Sequence, residues 1–123
     1  MDSSEEEEEG MLFDQEYGVN YPPHVTIDGV DYGLRSELTE IIVPEGTIVL
    51  ENEALFRCVN LVSVVLPESL LRLCQRSFAR CSALQSIILP KLVVEIGFNC
   101  FAYCTSLCGS VSIPDGVCTL EGW

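Results

Sequence analysis

The sequence predicts an α/β solenoid, a β-rich stack of short strands and short helical turns built from units of about 23 residues. Three observations carry this. Prolines recur at Pro44, Pro67, Pro90 and Pro114, spaced 23, 23 and 24. Leu38, Leu61, Leu84 and Leu107 are each 23 apart, as are Cys58, Cys81 and Cys104. Leu50, Leu73, Ile96 and Leu120 keep the same register, with a last step of 24. The one-residue slip therefore lies between Leu107 and Pro114, and Gly109 is its expected carrier, as a bulge. One such unit cannot bury its apolar side alone, so the units must stack.

Local patterns divide each unit. Leu61-x-x-Val64-x-Leu66-Pro67 alternates at period two and ends on a residue that cannot continue a ladder, which makes it a short strand. Leu70 to Leu73 is a second apolar run and a second strand. Residues 76–81 carry one helical or 3₁₀ turn, with Phe78 and Cys81 three apart on one face. Phe78 and Phe101 share a column and are the expected core fillers.

Before the repeats, residues 1–18 read as a disordered, solvated acidic tail. Residues 19–37 read as a lead-in segment and a capping hairpin. Pro22 and Pro23 fix an extended entrance. Val25-Thr26-Ile27 and Val30 to Leu34 flank Asp28-Gly29, the dipeptide of a tight type I′ turn. A hairpin here covers the open end of the stack. Residues 38–123 hold about three and a half repeats, the last incomplete. That end predicts either a terminal piece of a longer array or self-association through the open C-terminal end.

Charge and composition narrow the function. With 48% hydrophobic residues the chain belongs among folded proteins. Its net charge is −13, and residues 10–123 still carry 13 acids against six bases. That sign opposes nucleic-acid binding, which needs cationic surface to release counterions, and opposes anionic membranes. No stretch reaches the ~18 apolar residues of a membrane span, and the acidic start is unlike a signal peptide. A cytoplasmic location is expected, with the seven cysteines mostly thiols.

The unit is displayed by V-V-L-P-E-S-L-L-R-L-C-Q-R-S-F-A-R-C-S-A-L-Q-S and by I-I-L-P-K-L-V-V-E-I-G-F-N-C-F-A-Y-C-T-S-L-C-G. It resembles the BspA-like leucine-rich repeat. The resemblance covers residues 38–123 and implies a curved right-handed superhelix whose usual role is binding, with many members serving as microbial surface adhesins. Leu55 stands where the pattern prefers Phe.

Chemistry has few candidates. Cys100, Cys104 and Cys108 are spaced four and four, which on a helix would present zinc ligands, but Cys104 belongs to the repeat column with Cys58 and Cys81. The column reads as buried thiols acting as small hydrophobes. His24 is the single histidine and stands far in sequence from the cysteines. No catalytic residue, cofactor or metal is expected. A protein partner is expected instead. In each first strand one β-branched residue must point away from the core. Ile42, Val65 and Ile88 form that outward stripe, flanked by Glu40, Ser63 and Ser86, and an apolar stripe with a polar rim is a partner-binding surface.

Overall fold

Apolar alternation interrupted by proline every 23 residues limits each strand of the repeats to two or three residues, so the sheets must gain length by stacking. A computed structural model describes residues 10–107, 111 and 119–120. Among the described residues ten short strands run in order: β1 (Leu12–Asp14), β2 (Val19–Tyr21), β3 (His24–Ile27), β4 (Val30–Leu34), β5 (Glu40–Ile42), β6 (Val49–Leu50), β7 (Ser63–Val65), β8 (Arg72–Leu73), β9 (Glu95–Ile96) and β10 (Thr119–Leu120). Two parallel ladders define the stack. In one, β5 pairs with β7, Ile41 opposite Val64. In the other the order is β6, β8, β9, β10.

The pairs Leu50↔Leu73 and Leu73↔Ile96 are offset by 23 residues, and Ile96↔Leu120 by 24. The predicted slip is thus present in the ladder, while the bulge assigned to Gly109 lies outside the described residues. The predicted first strand of the third unit keeps its facing, with Ile87 and Leu89 buried and Ile88 exposed. Among the described residues its one backbone hydrogen bond backwards is Gln85 N–H to the Val62 carbonyl, at a long 3.4 Å. No ladder is formed at residues 86–88, which corrects the expectation of a strand there.

The helical turns are also corrected. Among the described residues there is no helix, and 74–81 is a succession of turns. Alternate amides close four-residue turns: Ser77 to Cys74, Ala79 to Arg76 and Cys81 to Phe78. The intervening amides of Arg76, Phe78 and Arg80 donate instead to Phe98, Cys100 and Ala102 of the next coil, at 2.7–3.0 Å. An α-helix would turn all of these donors inward and leave neighbouring coils unjoined. The cost is backbone strain. Arg76 and Arg80 sit at φ 56° and 64°, and their counterparts Glu53, Arg57, Asn99 and Tyr103 at 56–61°. Each is the third residue of its turn, where a positive φ is required in type II geometry.

One continuous core runs through the coils, built on Leu50, Leu55, Leu61, Leu70, Leu73, Leu84 and Ile96. Phe78 and Phe101 stack at 5.4 Å with their planes 7° apart. Leu55 fills the same column with a smaller side chain and is fully buried.

The β3–β4 hairpin turns at Asp28 and Gly29, both at positive φ (51° and 82°) as type I′ demands. Val25 and Ile27 join the core. Arg35 completes this end. In later coils the carbonyls of Ser77 and Ala79 accept from the amides of the preceding coil. Their counterparts in the first coil are Ala54 and Phe56, and Arg35 Nη1 donates to both carbonyls, at 3.2 and 2.9 Å. Its Nε donates to the Pro22 carbonyl. A buried guanidinium thus takes the place of a preceding coil.

The acidic-tail expectation is corrected from Leu12 onward. β1 and β2 form an antiparallel hairpin that lies across the turn arc of three successive coils. Its Tyr21 covers the fully buried Phe56, ring centroids 5.0 Å apart.

Candidate functional site

The outward face of the β5–β7 ladder follows from strand period alone. Ile41 is buried and Val64 partly so, which turns their neighbours outward. Ile42 is 70% exposed, Val65 53% and Ile88 85%. Ladder pairing sets Ile42 beside Val65 and Glu40 beside Ser63. Glu40, Ser63 and Ser86 are exposed. Ser86 and Ile88 continue the exposure pattern without ladder bonds. A shallow groove between the second and third coils is lined by Val64, Val65, Leu66, Glu68, Ile88 and Pro90. Glu45 borders it and accepts from the Glu68 amide at 3.2 Å. Aliphatic tips with hydroxyl and carboxylate rims offer desolvation and shape.

The cysteine column has a structural task. The Cys81 thiol donates to the Leu55 carbonyl and the Cys104 thiol to the Phe78 carbonyl, each at 3.0 Å. A leucine in their place would remove the second donor to carbonyls that otherwise accept only from the Cys58 and Cys81 amides. Burial pushes the Cys100 thiol up to about 12. Cys81 is raised by its thiol neighbours Cys104 and Cys58 and by burial, whereas Cys81 and the Arg35 charge hold Cys58 below the usual thiol range despite its burial. The five described cysteines are free. Among the described residues no group of three His, Cys, Asp or Glu is placed to hold a metal. His24 pairs with Asp31 at 2.9 Å in the capping hairpin.

A second constellation escaped the sequence reading. Arg57, Arg80 and Tyr103 are 23 residues apart and form a column on the turn arc. Asp14, whose side chain is fully buried, accepts from Arg57 Nε at 2.8 Å and Arg80 Nε at 3.1 Å. Glu16 accepts from Arg80 and from the Tyr103 hydroxyl. The signal was present as Leu12-Phe13 and Val19-x-Tyr21 flanking a short polar turn closed by Gly18. The Glu5–Glu9 run masked it by making the whole segment look solvated.

With the ladders in place, the family can be assigned. Residues 32–122 match the family model described as BspA type Leucine rich repeat region (6 copies). The chain belongs to the BspA type leucine-rich-repeat family. Solved leucine-rich-repeat proteins agree. It is similar to one from T. pallidum, at 26% identity and TM-score 0.68, covering 70% of this chain and 40% of that one. A Bacteroides ovatus leucine-rich repeat protein shares the fold at 23% identity and TM-score 0.65, covering 91% and 35%. A leucine rich cell surface protein from Faecalibacterium prausnitzii is 33% identical over 58% of this chain and 19% of its own, with TM-score 0.52. This repeat chain therefore spans well under half the length of these relatives. A comparison with curated proteins gave no match. Among the described residues no helix is long and apolar enough to cross a membrane.

Proposed function

We propose that the chain is a non-enzymatic protein–protein interaction module that binds a protein partner through its outer sheet face. The observation that carries the reading is the exposure of Ile42, Val65 and Ile88 at 70%, 53% and 85% while their chain neighbours Ile41 and Ile87 are buried. β-branched residues suit either face of a strand. A column of three directed at solvent, rimmed by Glu40, Ser63 and Ser86, goes beyond that preference and matches an interaction surface. The reading includes the curved right-handed path that the family resemblance implies.

The double variant V65T/I88T tests it, since threonine keeps β propensity while removing apolar contact. Wild type and variant should show matching thermal melts, and partners captured by the wild type should be lost from the variant. Equal capture by both sinks the reading, and a collapsed melt shows the stripe to be core. A second reading follows from the F. prausnitzii relative, which is named a cell surface protein. In it the chain is a structural part of a longer repeat array displayed at a surface. Labelling of intact cells separates the two locations.

A further inference from the structure

The turn arc of the first three coils carries a groove that the β1–β2 hairpin fills. Its floor is Phe56, Ala79 and Ala102, which cluster with Tyr17, Val19 and Tyr21 of the hairpin. Its wall is cationic and aromatic. Tyr17 lies edge-on to Phe56 at 6.0 Å and to Tyr103 at 6.4 Å, with the Arg76 and Arg80 guanidinium carbons 5.2 and 5.3 Å from its ring centre. Arg80 also stands 4.4 Å over the Tyr103 ring. The occupant's chemistry is therefore on display: one carboxylate between Arg57 and Arg80, a second reaching Arg80 and Tyr103, and a tyrosine in an Arg-aromatic cage.

The hairpin is attached differently from the coils. Coils are joined by backbone ladders, whereas among the described residues no backbone hydrogen bond links 12–21 to a coil. It is an isolated two-stranded sheet of three residues a side, marginal by itself in water. Met11, Leu12 and Phe13 remain exposed. Elements held by side chains alone lie at the low end of local stability.

We propose that the groove is a second docking site, for a partner segment bearing the pattern Asp-x-Glu-Tyr, and that residues 14–17 are a displaceable strap that holds it closed. The strap competes with the partner for Arg57, Arg80 and the Phe56 floor. Its release also bares an apolar floor that favours the next occupant over water.

The test uses the full chain carrying D14N and E16Q. Hydrogen exchange should show protection lost at residues 12–21 and kept at Leu55 and Phe78. A fluorescent peptide of residues 12–21 should then bind this variant, and bind wild type more weakly because the strap competes. Adding R80Q should weaken peptide binding by about 10–100-fold, the value of hydrogen bonds between charged groups. Excess peptide given to wild type should raise exchange at 12–21, an arm that needs no substitution. Four results overturn the proposal: a strap still protected in D14N/E16Q, a released variant that takes no peptide, peptide binding indifferent to R80Q, or a dimer in light scattering with the strap protected, which would assign the groove to a second copy.

Discussion

At the scale of single residues, what fixes this molecule is how closely its coils approach. Gly97 shows it most sharply. A Cβ added there would stand 2.6 Å from the Gln75 amide nitrogen and 2.8 Å from the Cys74 carbonyl carbon. Both are backbone atoms held by ladder bonds, Cys74 N–H to Leu50 and Gly97 N–H to Leu73, so neither can swing aside. Gly97→Ala should therefore destabilise by about 1–3 kcal/mol through overpacking, read as a lower midpoint in urea. An unchanged midpoint would mean that the β8–β9 spacing is looser than the ladder indicates. The sequence does not reveal this need, because the same column holds Glu51 and Cys74 in the preceding coils, which have room for a side chain. The outward facing of Ile42 and Val65 was legible, since strand alternation around Ile41 and Val64 decides it without knowledge of neighbours.

At the scale of elements, the strap is the part whose stability depends on charge. Burial raises Asp14, but the Tyr17 amide, the Arg57 hydrogen bond and the Arg80 and Arg57 charges outweigh it and hold the carboxyl below 3.8. The Tyr103 hydroxyl and Arg80 hold Glu16 below 4.5. Both folded values are depressed, so the strap's electrostatic support is complete above the ordinary carboxylate range and is lost as pH falls through the lower folded values. Protection of amides 12–21 should then be flat from neutral pH down to about pH 5 and fall below about pH 4, while β8 and β9 stay protected. It should also fall with added salt, more steeply than protection of the ladders. Loss of strap and ladder protection together would make the hairpin part of the cooperative core. The strap was hidden in the sequence because its partners lie 43 and 66 residues from Asp14. The β3–β4 hairpin was legible because its Asp28-Gly29 turn is local. The helical turns were misread for a related reason. Phe78 and Cys81 keep a three-residue spacing whether amides close a helix or alternate between a turn and the next coil, and only the neighbouring coil decides.

At the scale of the whole molecule, a repeat stack is a one-dimensional object whose interior is set by period and whose ends need separate solutions. The period was readable to the residue, including the 24-residue step seen in the Ile96↔Leu120 pair. The solution at the first coil was not, because it rests on Arg35, which looks like any surface arginine in sequence. Structurally it is buried and donates to the carbonyls of Pro22, Ala54 and Phe56, with its guanidinium carbon 5.6 Å from the Tyr21 ring centre. Two of those carbonyls are the acceptors that a preceding coil's amides would serve, so Arg35 converts a site of further stacking into an end. A lysine cannot reproduce the planar fork that spans three acceptors, and a methionine supplies no donor. Arg35→Met should cost about 1–3 kcal/mol for each carbonyl left buried and unpaired, with R35K recovering only part. The loss should be local before it is global: exchange should quicken first at Leu55 and Arg57 and in β3–β4, and only later at β8 and β9. Uniform quickening across all coils would instead mean that the stack unfolds as one unit and that Arg35 stabilises it as ordinary core.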